Sequence, residues 1–98
     1  IILYLGVYYM KNIESKNLSP NYEIIDIRSQ IEYSKGHIYN ARNIDMNKLL
    51  NEHDKYLDKS KTYYIYCSFG NKSKKVCEML TLLGYDVINV YGGYDSFK

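Results

Sequence analysis

The chain has 98 residues, 46% of them hydrophobic and 24% charged, with a formal net charge of +2. This length and composition predict one globular domain with a single core, and so small a net charge gives no reason to expect a nucleic acid as partner. Two cysteines are too few for a disulfide framework, and the two histidines are isolated from them in sequence. We therefore expect reduced thiols, a cytoplasmic location and no metal site.

The first ten residues are uncharged and largely apolar. Ten residues are too few to cross a bilayer. Two interpretations stay open: a first strand preceded by residues from a cloning vector, or the end of a membrane anchor that lies upstream. We accordingly divide the chain into an apolar segment, 1–9, and a domain, 10–98, and expect membrane contact only through such an anchor.

Short apolar runs then alternate with helical patterns along the chain. Strands are predicted at residues 23–27, 41–44, 62–66 and 86–91. Helices are predicted at residues 30–34, where Ser29 and Glu32 have the spacing of a capping box, at 46–56 after Asp45, and at 73–83. Such alternation predicts an α/β fold with a central parallel sheet of about five strands and helices on both faces.

Cys67 follows the strand predicted at 62–66 and opens a polar loop that contains Gly70 and leads into a helix. Ligands bind at the carboxyl ends of the strands in parallel sheets. Backbone N–H groups converge at the start of a helix and favour negative charge, so the thiol is expected to lose its proton readily and to act as a nucleophile. Such a thiolate can attack a sulfur or phosphorus centre and hold the product covalently.

The loop itself discriminates between these two chemistries. Cysteine phosphatases use a wider loop, C-x5-R, in which an arginine grips a tetrahedral phosphate; the corresponding residue here is Ser73. A tighter loop fits one added sulfur atom, the outer atom of a persulfide. Residues 67–72 are of the tighter kind, so a cysteine phosphatase or an arsenate reductase is the less favoured hypothesis.

Several separate stretches of the chain carry a resemblance that covers about residues 10–98. They are Ile25-Asp26-Ile27-Arg28, Glu32-Tyr33 with Gly36-His37-Ile38, Ala41-Arg42-Asn43-Ile44, Cys67-Ser68-Phe69-Gly70-Asn71-Lys72-Ser73, Leu83-Gly84-Tyr85-Asp86-Val87 and Gly92-Gly93-Tyr94. In this order they resemble the motifs of the rhodanese-like family, specifically its single-domain sulfurtransferases. Each motif is weak alone, whereas the shared order is a specific signal.

The resemblance implies a rhodanese-like fold and a two-step sulfur transfer that needs no metal or organic cofactor. Cys67 would be the catalytic residue: it would take sulfane sulfur from thiosulfate or a persulfide and pass it to cyanide or a thiol, a protein thiol included. The loop that would hold the persulfide comprises Ser68, Phe69, Gly70, Asn71, Lys72 and Ser73. Asp26 and Arg28 would support it, as structural anchors or as substrate groups. A non-catalytic module that binds or senses sulfur through the same loop is the alternative.

One departure from the family pattern concerns the donor. Lys72 stands where the family usually has arginine. Lysine keeps the positive charge but lacks the planar, two-pronged grip of a guanidinium on an oxyanion. We therefore expect poor use of thiosulfate and a more natural use of a persulfide donor. Cys77, on the apolar face of the helix predicted at 73–83, is expected to belong to the core.

Overall fold

Five parallel strands form one sheet in the computed structural model, which describes residues 11–98. The strands are β1 (Lys11–Glu14), β2 (Glu23–Asp26), β3 (Arg42–Asn43), β4 (Thr62–Tyr66) and β5 (Asp86–Tyr91). Their order across the sheet is β1-β5-β4-β2-β3, and each neighbouring pair is parallel. The predicted parallel sheet is confirmed, whereas the predictions for residues 1–10 lie outside the described residues.

Helical segments connect these strands, and one more follows the last strand. They are a 3-10 turn (Ser15–Asn17) and the α-helices α1 (Gln30–Lys35), α2 (Met46–Asn51), α3 (His53–Tyr56), α4 (Asn71–Leu82) and α5 (Gly93–Phe97). The predicted capping box is present at α1, where Ser29 Oγ accepts a hydrogen bond from the Glu32 N–H at 3.2 Å. Among the helices of residues 11–98, none combines the length and the apolar character that crossing a membrane requires.

The prediction of one helix over residues 46–56 is wrong. Asp45 caps its start as expected, since Oδ1 accepts hydrogen bonds from the N–H groups of Asn47 and Lys48 at 3.0 and 3.2 Å. The helix is then interrupted at Glu52, whose φ of −127° and ψ of 36° are not helical. In the short α3 that follows, His53 Nδ1 lies 2.7 Å from the Tyr85 hydroxyl, a tertiary contact that the sequence pattern does not reveal.

Apolar side chains fill both faces of the sheet. Successive residues of a strand point to opposite faces, and the core divides accordingly. One cluster, beneath α2 and α4, includes Ile25, Ile65 and Val87 of the sheet with Leu49, Val76 and Leu80 of the helices. The other includes Ile24, Tyr66 and Val90 with Ile38, Tyr33 and Tyr94. The expected helices on both faces of the sheet are therefore confirmed.

Candidate active site

Cys67 lies directly after β4, at the carboxyl end of the central strand of the sheet. Its side chain is 5% exposed, so the sulfur is almost enclosed by the loop that follows. Gly70, with a φ of 98°, ends this loop, and α4 begins at Asn71, two residues earlier than predicted. An added Cβ at Gly70 would lie 3.1 Å from the Gly92 amide nitrogen, so the loop needs glycine both for its conformation and for its close packing.

Hydrogen-bond donors surround the sulfur of Cys67. The backbone N–H groups of Gly70 and Ser73 donate to Sγ at 3.1 and 3.3 Å, and the Ser73 hydroxyl oxygen lies 3.4 Å from it. Burial alone would raise the pKa of this thiol. The contacts from Ser73, Gly70 and the Phe69 amide outweigh burial, so the pKa of Cys67 lies below its ordinary value. This arrangement favours a thiolate, which is the nucleophilic form.

The remaining amides of the predicted loop are placed differently. Within the described residues, the N–H groups of Ser68, Asn71 and Lys72 make no hydrogen bond to Sγ. Their role in holding a persulfide stays a prediction. Phe69 is 68% exposed, so its side chain lies at the surface beside the sulfur rather than in the core.

The start of α5 holds the loop from the other side. The N–H groups of Tyr94 and Asp95 donate to the carbonyl oxygens of Cys67 and Ser68 at 2.8 and 2.9 Å. Gly93 has a φ of 63°, and an added Cβ there would lie 2.4 Å from the Cys67 carbonyl oxygen. These bonds fix the carbonyls against α5 while amides of the same loop face the sulfur. The two glycines at 92–93 therefore contribute directly to the geometry of the site.

Asp26 and Arg28 form a buried ion pair at the end of β2. Arg28 Nη2 lies 2.8 Å from Asp26 Oδ2, and the two side chains are 7% and 0% exposed. The guanidinium also donates to the carbonyl oxygen of Gly36 at 2.7 Å and stacks 4.3 Å from the centre of the Tyr94 ring. Its charge is thus paired with Asp26, and its Nε and Nη2 donors are used within the protein. Arg28 anchors the segment after α1 and the start of α5, both of which flank the Cys67 loop.

A cavity of about 530 Å³ opens in front of Cys67. Charged side chains on its wall include Glu32, Asp45, Lys72 and the paired Arg28. Glu32 is linked to the loop, because its Oε2 accepts a hydrogen bond from Ser68 Oγ at 3.2 Å. The sequence pattern indicates only capping roles for Glu32 and Asp45. Glu32 follows β2 and Asp45 follows β3, and these parallel strands end at the same edge of the sheet as β4, which precedes Cys67. This order in the sequence is the signal that could have placed both carboxylates at the site.

A buried polar network behind the sulfur was also missed. Ser73 Oγ donates to Asn89 Oδ1 at 2.6 Å, and Asn89 Nδ2 donates to Asn12 Oδ1 at 3.0 Å. Ser73 and Asn89 are 0% and 3% exposed. The signal in the sequence is an asparagine two positions after Val87, where the alternation of β5 calls for a core residue.

Cys77 is 0% exposed and belongs to the core cluster beneath α4, as expected. Burial, with smaller contributions from Cys67 and Glu78, raises the pKa of Cys77 to about 12. The two thiols therefore differ sharply in acidity, since only Cys67 is poised to ionise.

His37 Nδ1 lies 2.8 Å from the carbonyl oxygen of Tyr33 and its ring stacks on Tyr33, a local structural contact.

Fold and site together define a parallel α/β domain that presents a hydrogen-bonded cysteine at the carboxyl edge of its central strand. A family model of the rhodanese-like domain matches residues 8–98. The chain belongs to the rhodanese-like domain family.

Named relatives and solved structures agree with this assignment. The chain is 36% identical over 76 residues to the thiosulfate sulfurtransferase GlpE of Coxiella burnetii, covering 76% of this chain and 70% of that protein. A rhodanese-like domain protein from Staphylococcus aureus is 33% identical, with a TM-score of 0.81 and coverage of 91% of this chain and 92% of that one. The SSP1007 protein of Staphylococcus saprophyticus is 32% identical, with a TM-score of 0.84 and coverage of 91% and 94%.

Proposed function

We propose that this protein is a sulfurtransferase that carries sulfane sulfur as a persulfide on Cys67. The observation that carries the proposal is the sulfur of Cys67 itself, enclosed by donors from Gly70 and Ser73 that lower its pKa. Membership of a family with relatives named as sulfurtransferases supports the same chemistry.

The transfer has two steps. In the first, the Cys67 thiolate attacks the outer sulfur of the donor, the sulfur–sulfur bond of the donor breaks, and sulfite leaves from thiosulfate or a thiolate leaves from a persulfide. In the second, an acceptor such as cyanide or a thiol attacks the outer sulfur on Cys67, and the Cys67 thiolate is the leaving group. Backbone amides of residues 68–73 would stabilise the anionic persulfide between the steps.

We further propose that an organic persulfide is a better donor than thiosulfate. The Arg28 guanidinium on the cavity wall is neutralised by Asp26, and Lys72 replaces the arginine that would grip an oxyanion. The carboxylates of Glu32 and Asp45 on the same wall further disfavour a small dianion. A volume of about 530 Å³ leaves room for an organic thiol, since it lies in the range of small-molecule sites.

The test is an intact-mass measurement after incubation with thiosulfate or with glutathione persulfide. We expect a gain of one sulfur atom, about 32 Da, that is absent in Cys67→Ser and that disappears when cyanide or a thiol is added. Cys77→Ser is the matched control and is expected to keep the gain, because that thiol is buried and hard to ionise.

Two other outcomes would contradict the proposal. No uptake from either donor would favour the binding or sensing module. Turnover of an aryl phosphate, lost in Cys67→Ser, would favour the phosphatase.

A further inference from the structure

Two carboxylates on the wall of the Cys67 cavity have no role in the two steps of the transfer. Glu32 lies in the first turn of α1 and Asp45 directly precedes α2, and both line this cavity of about 530 Å³. A carboxylate near a thiolate opposes its formation, since like charges repel. Capping does not require the charge, because glutamine and asparagine serve at the same positions. The two charges therefore call for another explanation.

Hydrogen bonds hold the Glu32 carboxylate in place. Its Oε1 accepts bonds from the N–H and the hydroxyl of Ser29 at 3.4 and 3.2 Å, and its Oε2 accepts one from the Ser68 hydroxyl at 3.2 Å. The bond from the Ser29 N–H contributes most to lowering the pKa of Glu32 below its ordinary value, so this residue is ionised in neutral solution. A negative charge is therefore fixed between α1 and the Cys67 loop.

The Asp45 carboxylate is fixed by its capping bonds. Its Oδ1 accepts hydrogen bonds from the N–H groups of Asn47 and Lys48 at 3.0 and 3.2 Å. Within residues 11–98, no hydrogen bond to its other oxygen, Oδ2, is found. This second oxygen is therefore available to a ligand in the cavity while Oδ1 keeps its role at the start of α2.

The wall of the cavity carries a net negative charge. Its basic residues are Arg28 and Lys72, and the Arg28 guanidinium is already paired with the buried carboxylate of Asp26. None of the ion pairs found within residues 11–98 includes Glu32, Asp45 or Lys72. Apart from the paired guanidinium, the wall thus carries two negative charges and one positive charge.

The group attached to the reacting sulfur must lie in this cavity. Cys67 attacks a sulfur atom in line with the sulfur–sulfur bond that breaks. Such a bond is about 2 Å long, so the leaving sulfur lies about 4 Å or more from Sγ. Because Sγ is nearly enclosed by its loop, the carbon chain of the leaving group extends away from it, along the wall with Glu32 and Asp45.

We propose that Glu32 and Asp45 determine specificity by charge, favouring thiols and persulfides with an ammonium group near the sulfur over those with a carboxylate. The ligand class is a small aminothiol, for which cysteamine is the simplest probe. An ammonium group gains a fixed carboxylate partner, whereas a carboxylate on the substrate is repelled. This inference deepens the proposed function and rests on it for the persulfide, but it also applies to any other disulfide that Cys67 attacks.

The first test does not depend on sulfur transfer. The Cys67 thiolate attacks one sulfur of a symmetrical disulfide, forms a mixed disulfide and releases the other half as a thiolate. The probes are cystamine, with two ammonium groups, and dithiodipropionate, with two carboxylates, and intact mass follows each reaction. The ratio of their rates is divided by the same ratio for a free neutral thiol, mercaptoethanol. The ionised fraction of Cys67 affects both rates equally and cancels from this corrected ratio.

We expect cystamine to react about threefold faster or more on this corrected scale at low salt, and the preference to decrease as salt is added. In the double variant Glu32→Gln with Asp45→Asn, the preference should be lost or reversed, because Lys72 is then the remaining unpaired charge. Both substitutions keep a capping side chain, so this variant is expected to fold.

The matched control is the double variant Glu23→Gln with Asp54→Asn. These two carboxylates line a different cavity, and their removal changes the net charge of the chain by the same amount. The control should keep the ratio of the unmodified chain. A corrected ratio of one or less in the unmodified chain overturns the proposal, as does a ratio that changes no more in the Glu32 and Asp45 variant than in the control.

The second test connects the inference with the proposed function. Cys67 is loaded from glutathione persulfide and then discharged with cysteamine or mercaptopropionate at equal thiolate concentrations, again relative to their rates with a small disulfide. The acceptor thiolate bonds to the outer sulfur and Cys67 leaves as a thiolate. Cysteamine should react faster, and equal rates would overturn the inference while leaving the proposed function intact. Charge selection among disulfides in a chain that takes up no sulfur would refute the proposed function alone.

Discussion

Replacing Gly93 with alanine should damage the site from outside the Cys67 loop. The φ of 63° is in the left-handed region, where a side chain costs about 1–2 kcal/mol. The new Cβ would lie 2.4 Å from the Cys67 carbonyl oxygen and 2.7 Å from that of Ser68, both of them backbone atoms, so the loop or α5 must shift. A shift weakens the two hydrogen bonds from Tyr94 and Asp95, each worth about 0.5–1.5 kcal/mol.

The expected loss for Gly93→Ala is therefore about 2–5 kcal/mol in the free energy of unfolding, measured by urea denaturation. Gly84→Ala is the matched control. Gly84 also has a positive φ, of 97°, but its added Cβ would meet only the flexible Lys59 side chain, at 3.5 Å. The control should lose about 1–2 kcal/mol, and the loss of glycine's freedom in the unfolded chain is common to both variants.

The two variants should also differ at the sulfur. Displacing the Cys67 carbonyl disturbs the amides that face Sγ, so in Gly93→Ala the pKa of Cys67 should rise towards that of a free thiol and sulfur uptake should slow. Gly84→Ala should leave both unchanged. If Gly93→Ala were no less stable than the control and kept the low pKa of Cys67, then α5 would not shape the site and the reasoning would be refuted.

Other consequences of the structure can be checked more simply. Lys72→Arg should raise kcat/KM for thiosulfate about tenfold, equivalent to about 1.4 kcal/mol, and leave a persulfide donor nearly unaffected, because the added grip concerns the oxyanion; equal gains for both donors would contradict this. The rate of sulfur uptake, measured by stopped flow, should increase with pH. The midpoint of this increase should lie below the pKa of a free thiol, about 8.5. Because folding lowers the pKa of Cys67, ionisation of this thiol stabilises the native state relative to Cys67→Ser. This stabilisation is complete above the pKa of Cys67 in the unfolded chain and is lost as the pH falls through its pKa in the folded chain. Arg28→Met should cost about 3–5 kcal/mol in urea unfolding by leaving Asp26 buried and unpaired, and adding Asp26→Asn should restore part of it.

Local signals explain why much of the fold could be predicted. The strand at 62–66 is a short apolar run, and the capping box of Ser29 and Glu32 is contained in four residues. The break at Glu52 and the short α5 depend instead on contacts with distant residues. α5 has five residues and no helical periodicity, and its first amides are satisfied by carbonyls of the Cys67 loop. β1 was missed because it is a mostly exposed edge strand.

The candidate site divides in the same way. Cys67 and its loop were predictable because a strand, a nucleophile, a glycine and a helix follow one another in the chain. The start of α4 was predicted too late because its N-cap, Gly70, has no side chain to mark it. Asn89 could not be assigned a role, because only the packing of α4 on β5 brings it to Ser73.

Elements outside the loop help to hold the geometry around Cys67. The Arg28 guanidinium joins the segment after α1 to Tyr94 of α5, α5 in turn holds two loop carbonyls, and Asn89 of β5 holds the Ser73 hydroxyl. Donors fixed in this way need little reorganisation when charge moves between a thiolate and a persulfide, which is the condition for effective electrostatic stabilisation. It follows that substitutions far from Cys67 in sequence should change its acidity, and that the loop transplanted alone should not reproduce it.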